Sequence, residues 1–213
     1  SFTQKRAQAA VQGYSETTFR SFRSTAKGRK DNQELVGVRC TLAGTGFKAA
    51  FVTPGCGAAL ALSAAACMSV GDPAKMEQLP DTRGISNDIL FQARQHYHYE
   101  RCLTIFGGSI VMVGNDRGTS RDQLEAAIGE ATAAIHFYAS GDEDPSILDL
   151  EDVVEIADKH GIPVIVDAAY QIYPLDRFKY YTQSGASLIG FGAKYFGACN
   201  STGILAGKSE LIE

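Results

Sequence analysis

Short apolar runs alternate along most of the chain with longer segments in which apolar residues recur at helical spacing. The short runs predict β-strands at 49–53, 89–92, 109–113, 131–138, 164–166, 188–191 and 202–206. The longer segments predict helices at 56–69, 99–106, 120–128 and 148–159. Strands and helices are therefore expected to alternate from about residue 49 onward.

This alternation predicts an α/β protein of three α/β/α layers, with a mostly parallel sheet between two layers of helices. The run 164–166 is wholly apolar, which is typical of a parallel strand covered on both faces. Ligands of such sheets bind at the carboxyl ends of the strands. We expect one large domain over residues 36–213 and a polar, helical N-terminal arm over residues 1–35.

The composition of the chain argues against nucleic-acid and membrane partners and against disulfides and a metal site. The 213 residues carry a formal net charge of −4, and the short basic cluster at 27–30 is typical of a solvated turn, so no nucleic-acid partner is expected. No apolar run approaches the ~18 residues that span a bilayer, so no membrane partner is expected either. The scattered cysteines form no C-x-x-C pair, which favours neither disulfides nor a metal site and fits a reduced, cytoplasmic location. They are Cys40, Cys56, Cys67, Cys102 and Cys199.

A turn of small residues, TPGCGAA at 53–59, joins the first predicted strand to the first predicted helix. Small residues let a phosphate approach the backbone, and the free N–H groups of a helix start supply donors and a positive dipole end. Close packing of a buried helix would select the same residues. The turn alone does not decide between phosphate binding and packing.

Asp167 follows the wholly apolar strand at 164–166. A carboxylate in this position is costly to bury unless a cation pairs with it, and a protonated pyridine nitrogen is one such partner. Two alternatives remain open: Asp167 caps the following turn, or it is a magnesium ligand.

Lys194 follows a later predicted strand and lies among small and apolar residues in GFGAKYFG at 190–197. Desolvation of a lysine favours the neutral amine that condenses with an aldehyde. An ordinary lysine that reaches solvent from a loop is the alternative. The order of the three features, a phosphate turn, an acid after one strand and a lysine after a later strand, favours a chemical role for all of them.

In several stretches the chain resembles the SelA-like branch of fold-type I pyridoxal-phosphate enzymes, which contains selenocysteine synthase and D-glucosaminate-6-phosphate ammonia-lyase. The stretches are FVTPGCGAALALSAA, KMEQLPDTRGISNDILFQ, HYERCLTIFGGSIVMVG, IPVIVDAAYQIYPLDRF and GAKYFGACNSTGILAG. The resemblance implies the large domain of an aspartate-aminotransferase-like fold and pyridoxal 5'-phosphate as cofactor. It also implies a homodimer or larger homo-oligomer with shared active sites.

The resemblance implies roles for single residues. Lys194 matches the lysine that forms a Schiff base with the cofactor, Asp167 matches the partner of its pyridine nitrogen, and Gln171 is expected near the ring or the substrate. The other matches are Gly55, Cys56, Gly57 and Ala58 in the phosphate turn and Asn200, Ser201 and Thr202 in a segment that reaches the phosphate of the neighbouring subunit.

The tract RQHYHY at 94–99 matches the place from which relatives pack a residue on the cofactor ring. His96 is the first choice and Gln95 the alternative. A hydrophobic patch at a subunit interface would account for the same tract. His136 and His160 are predicted to be structural, one in a strand and one at a helix end.

The implied reaction starts when a substrate amine displaces Lys194, which then removes the α-proton while Asp167 keeps the ring nitrogen protonated. Loss of a β-substituent usually follows in this family. We therefore expect a lyase of the ammonia-lyase type that acts on an amino acid or amino sugar acid.

Three alternatives remain. They are an aminotransferase, a selenium or sulfur transferase, and a non-catalytic protein that retained the fold. Cys199 is the candidate thiol for a desulfurase-type reaction. The acidic chain disfavours selenium transfer, because that reaction needs a large tRNA partner. Relatives continue into a small C-terminal domain, which is expected to be missing here. The arginine that would bind a substrate carboxylate cannot be chosen among Arg83, Arg94 and Arg101.

Overall fold

A computed structural model describes residue 47, residues 49–141 and residues 144–213. The predicted arm at 1–35 lies outside these residues. Seven strands form one sheet in the spatial order β1-β7-β6-β5-β4-β2-β3. The strands are β1 (Ala49–Thr53), β2 (Asp88–Gln92), β3 (Ser109–Val113), β4 (Thr132–Tyr138), β5 (Val164–Asp167), β6 (Leu188–Gly192) and β7 (Gly203–Gly207).

Strands β2 to β6 are parallel to one another, whereas β7 is antiparallel to both β6 and β1. The predicted mostly parallel sheet is therefore confirmed. Six α-helices are described: α1 (Cys56–Ser69), α2 (Pro73–Gln78), α3 (Arg121–Ala127), α4 (Leu150–His160), α5 (Leu175–Gln183) and α6 (Ser209–Ile212). Four 3-10 helices lie at Ala93–Gln95, Glu100–Thr104, Ala139–Gly141 and Ala193–Phe196.

Helix α1 covers one face of the sheet and contacts β4, β5, β6 and β7. On this face Leu60 packs in one cluster with Phe91 and Ile165. The opposite face is covered by α3 and α4, whose Leu124 and Val153 join a second cluster. Side chains alternate across β5, because Ile165 belongs to the first cluster and Val164 and Val166 to the second. The prediction of a strand buried on both sides is confirmed.

The predicted helix at 99–106 is a five-residue 3-10 helix, Glu100–Thr104. The apolar pattern does not predict helices α2, α5 and α6. Helix α2 carries a start signal, because the Asp72 side chain accepts the Ala74 N–H and Pro73 occupies the first turn, but it buries no residue and so has no apolar periodicity. None of the described helices has the length and apolar character needed to cross a membrane.

One edge of the sheet collects segments that are distant along the chain. The carboxyl ends of β2, β4, β5 and β6 lie there because these strands are parallel. The end of β1 reaches the same edge, since Thr53 pairs with Gly203 at the start of β7. The turn after Thr53 therefore lies beside the loops after β5 and β6.

Gly203 is required at this edge by close packing. A Cβ atom there would lie 2.4 Å from the carbonyl carbon of Gly55 and 2.6 Å from Oγ1 of Thr53. These contacts are mostly with backbone atoms, which cannot rotate away as a side chain does.

Gly203→Ala is expected to lower the free energy of unfolding by about 1–3 kcal/mol, the usual cost of overpacking. Gly129→Ala is the matched control, because nothing lies within 4 Å of a Cβ atom at that position. Urea unfolding of both variants measures the difference. Equal stabilities would contradict the close approach of β7 to the turn before α1.

Candidate active site

Asp167 is a buried carboxylate at the end of β5, with 4% of its surface exposed. Its Oδ2 accepts a hydrogen bond of 2.6 Å from the Tyr97 hydroxyl, and its Oδ1 accepts one of 3.1 Å from the Ala169 N–H and a weak one of 3.6 Å from the Cys56 thiol. Burial raises the pKa of the Asp167 carboxyl, and these hydrogen bonds oppose that shift. None of these described partners is a cation.

The Ala169 contact also bears on one of the alternatives for Asp167. The side chain accepts the N–H two residues further on, which is a local turn cap. Capping uses one oxygen and leaves the carboxylate without a positively charged partner. A turn cap alone therefore does not account for a charge buried in the centre of the sheet.

The turn before α1 leaves a helix start without a side-chain cap. Gly55 has a φ of 100°, in the left-handed region, and makes no side-chain cap bond to α1. Helices α2, α3 and α4 differ, because their first-turn N–H groups are capped by side chains of Asp72, Ser120 and Asp149. The first-turn N–H groups of α1, at Cys56, Gly57 and Ala58, are available for an anion.

Packing also selects the small residues of this turn. A Cβ atom at Gly57 would lie 3.1 Å from Sγ of Cys102, and Gly55 lies beneath Gly203. Close packing and phosphate binding by this turn are therefore compatible in the observed geometry.

Lys194 lies in the 3-10 helix Ala193–Phe196, directly after β6. The Gly192 N–H donates to the carbonyl of Ala169 and the Ala193 N–H donates to the carbonyl of Thr202, each at 2.8 Å. The lysine side chain itself is exposed, with Nζ 5.2 Å from the centre of the Tyr195 ring. The expected desolvation is not found, because the chain turns out of the sheet between buried Ala193 and Lys194.

Cys56, in the turn before α1, contacts the carboxylate of Asp167. Burial raises the pKa of its thiol far above the usual value, the Asp167 charge adds to this, and the positive charge of Lys194 acts in the opposite direction. The thiol therefore responds to both charges. The turn before α1 and the end of β5 meet at this side chain, and a Cβ atom at Gly190 of β6 would lie 3.3 Å from its Sγ.

The two predicted ring-packing residues differ in exposure and in their hydrogen-bond partners. His96 is exposed, and its Nδ1 is 2.7 Å from Oε2 of Glu100. Gln95 is buried, but its amide is bonded to the backbone N–H and carbonyl of Tyr138, at 3.3 and 3.1 Å. Neither side chain contacts Asp167.

Tyr97, in the same tract, contacts Asp167 and was not singled out from the sequence. Its ring stacks on Tyr138, with centroids 3.8 Å apart and planes at 12°. Its hydroxyl also lies 3.4 Å from Nε2 of His136. The available signal was an aromatic residue within the tract already expected to face the cofactor. His136 is fully buried in β4 and His160 ends α4, as predicted.

The remaining candidates divide into two groups. Gln171 is buried near the site, where its Nε2 donates to the carbonyl of Ala139 at 3.4 Å. Asn200 and Ser201 are exposed and Thr202 is half-buried, in the loop between Lys194 and β7.

Each candidate arginine has a partner outside the group around Asp167. Arg83 pairs with Asp81, Arg94 pairs with Asp144, and Arg101 donates to Nε2 of His98.

Known proteins share this architecture. The model of the family described as aminotransferase class I and II matches residues 29–203. A D-glucosaminate-6-phosphate ammonia lyase of Salmonella typhimurium (strain 14028s / SGSC 2262) is 32% identical over 174 residues, which are 79% of this chain and 46% of that protein. A 5'-C-glycyluridine monooxygenase-decarboxylase of Streptomyces sp is 30% identical over 176 residues, 79% of this chain and 43% of that protein.

A solved structure of D-glucosaminate-6-phosphate ammonia-lyase superposes with a TM-score of 0.72 at 29% identity, over 78% of this chain and 46% of that one. An archaeal O-phosphoseryl-tRNA(Sec) selenium transferase superposes with a TM-score of 0.55 at 18% identity, over 77% of this chain and 38% of that one, and shows the fold alone. The chain spans about half the length of the curated relatives it matches. With a family model that matches most of its length, the chain belongs to the aminotransferase class I and II family.

Proposed function

We propose that this chain is the cofactor-binding part of a pyridoxal-phosphate-dependent enzyme. The observation that carries the proposal is Asp167, a buried carboxylate at the end of the strand β5 whose described hydrogen-bond partners are all uncharged. A buried charge of this kind needs a cation, and the protonated nitrogen of a pyridine ring supplies one.

The residues around Asp167 fit the rest of the cofactor. The uncapped first turn of α1 offers N–H groups for its phosphate, and Gly55 leaves room for that approach. Lys194 supplies a primary amine at the same edge of the sheet. Ser201 and Thr202 are further hydroxyl donors in the loop that follows Lys194.

When bound, pyridoxal phosphate supplies an electron-withdrawing ring that stabilises negative charge on the substrate carbon next to the amino group. The chain supplies the proton transfers. Asp167 would keep a proton on the ring nitrogen through its charged oxygens. With the free amine of its Nζ, Lys194 would be the base that takes the proton from the substrate carbon next to the amino group.

We further propose that the reaction is an elimination, of the ammonia-lyase type, on an amino acid or amino sugar acid. The relative at 32% identity bears the name of such a lyase. A second relative at nearly the same identity bears the name of a monooxygenase-decarboxylase, so the reaction must be measured. The family name favours transamination as the second candidate.

An assembly of at least two chains, in the cytoplasm, is part of the proposal. Lys194 and Tyr195 are exposed in the single chain. The proposed chemistry needs a site with little water, and a second copy of the chain packed over these residues would exclude that water. The described cysteines Cys56, Cys67, Cys102 and Cys199 are free thiols, which fits a reducing compartment.

The chain mixed with pyridoxal phosphate is expected to show the visible absorbance of a lysine-bound cofactor. Borohydride reduction followed by peptide mapping is expected to find the cofactor on Lys194. Lys194→Ala abolishes both signals, because it removes the amine that lies at this edge of the sheet beside Asp167. Lys208→Ala, an exposed lysine beyond the far end of β7, serves as the control and retains them. Attachment at another lysine in folded protein would refute the assignment.

Asp167→Asn separates cofactor binding from folding. We expect the dissociation constant of pyridoxal phosphate to rise by at least about a hundredfold, because one partner of a buried ion pair is removed. The cofactor-free variant keeps its stability at neutral pH, since a raised carboxyl pKa means that the buried charge opposes folding. Absorbance titration and thermal unfolding measure the two effects.

Asp158→Asn is the control for this variant, because Asp158 is exposed on α4. It is expected to change neither quantity. Unchanged cofactor affinity in Asp167→Asn would remove the main support for the proposed function.

The reaction class is tested with the cofactor-loaded full chain and D-glucosaminate 6-phosphate as the probe. Release of ammonia and a keto acid without any added acceptor is expected for elimination. Turnover that needs an added keto acid would assign an aminotransferase. Cofactor binding without turnover of this probe or of a panel of β-hydroxy amino acids would favour the non-catalytic alternative.

A further inference from the structure

The hydroxyl of Tyr97 is the closest hydrogen-bond donor to the carboxylate of Asp167 among the described residues. The bond to Oδ2 is 2.6 Å long, which is typical of a hydroxyl that donates to a charged oxygen. The bonds to Oδ1 from Ala169 and Cys56 are longer, at 3.1 and 3.6 Å. Oδ2 therefore depends on Tyr97 for its described hydrogen bond.

The ring of Tyr97 is held independently of this bond. It stacks on Tyr138 at 3.8 Å and lies within 6.2 Å of the ring of Phe91. These contacts restrict the Tyr97 side chain to the rotamer in which its hydroxyl reaches Asp167. A phenylalanine at this position would keep the stacking and lose only the donor.

His136 lies on the far side of the Tyr97 hydroxyl from Asp167, and the bond between Tyr97 and Asp167 determines which of its nitrogens carries the proton. Its ring is fully buried, stacked on Phe91 at 4.2 Å, and burial lowers its pKa to about 3, so it is neutral. The Tyr97 hydroxyl donates a hydrogen bond to Asp167, so its oxygen can accept one from Nε2 of His136 at 3.4 Å. With the proton on Nε2, the Nδ1 atom, which has no hydrogen-bond partner among the described residues, is a bare acceptor and less costly to bury than an unpaired N–H.

The three groups thus form a row of donors that ends on the carboxylate, from His136 to Tyr97 to Asp167. Such rows strengthen each member, because each bond polarises the next. The charge at the end of the row is the one that the proposed cofactor needs.

We propose that Tyr97 is a positioning residue that holds Oδ2 of Asp167 in place and keeps the carboxylate charged, ready to pair with the ring nitrogen of the cofactor. This inference rests on the proposed cofactor function. It assigns to Tyr97 a role that acts through Asp167 and requires no contact with the substrate.

The titratable groups that face Asp167 define the pH test. Tyr97 and Cys56 contact it directly, and Tyr138, Cys102 and Lys194 lie further out and act on the same cluster. Burial raises the pKa of Asp167, and the Tyr97 bond is the largest opposing influence. Removal of the hydroxyl therefore raises this pKa further.

The first measurement uses the cofactor-free protein. An acid whose folded pKa is raised stabilises the fold fully below its unfolded pKa of about 3.9, and the benefit is lost as the pH rises through the folded value. In Tyr97→Phe the loss extends to higher pH. We expect the stability deficit of the variant to be small near pH 4 and to grow toward neutral pH in urea unfolding.

The second measurement is the dissociation constant of pyridoxal phosphate as a function of pH. We expect Tyr97→Phe to bind roughly tenfold more weakly near pH 6, as for the loss of one hydrogen bond to a charged group. The deficit shrinks as the pH rises, because alkaline pH ionises Asp167 without help. Tyr181→Phe is the matched control, since Tyr181 is also buried and donates its hydroxyl proton to the carbonyl of Ala139. Its binding deficit is expected to be absent at every pH.

Two results would overturn the inference. A deficit of Tyr97→Phe that is constant with pH in both measurements would mean that the hydroxyl only contributes to packing. Tighter cofactor binding by the variant would mean that the phenol competes with the ring nitrogen for the carboxylate. If the unaltered chain binds no cofactor, the proposed function fails, while the unfolding profile still decides whether Tyr97 controls the charge of Asp167.

Discussion

The structure depends on one costly arrangement, a carboxylate buried at the end of a strand in the middle of the sheet. Asp167 is flanked by β4 and β6, and helix α1 covers it from one side. A charge in this position lowers stability unless its surroundings compensate. Hydrogen bonds from the turn after β5, from α1 and from the tract after β2 provide part of that compensation. The neighbouring elements are therefore arranged around a group that opposes folding in the absence of a cationic partner.

Much of this architecture was predictable because it follows from periodicity. The strands and α1 were predicted to within a residue or two, since each is an apolar run with clear ends. The short helices α2 and α6 bury no residue at all, so the apolar pattern carries no signal for them. The resemblance to fold-type I pyridoxal-phosphate enzymes is confirmed by the matching family model and by the relatives.

The site was predictable only at the level of the backbone. Asp167, Lys194 and the turn at Gly55 were placed at one edge by strand order alone. The direction of the side chains could not be predicted in this way, because it is set by short 3-10 helices that follow the strands. In Ala93–Gln95 the chain turns so that His96 faces solvent and Tyr97 faces Asp167, a difference of one position. Lys194 is likewise exposed because it lies in the 3-10 helix Ala193–Phe196, which turns away from the end of β6.

The pairing of β1 with β7 has a consequence for how the protein is made. These strands are neighbours in the sheet although nearly the whole described chain separates them, and Gly203 of β7 packs directly on the turn that begins α1. A growing chain produces that turn before β7, and the contact with Gly203 forms only after β7 has left the ribosome. The helix start that we propose as the phosphate site is thus completed only after β7 has been made. A ligand that binds this helix start would bind only chains in which β7 has been made. Ligand binding would therefore distinguish such chains from incomplete ones that lack β7.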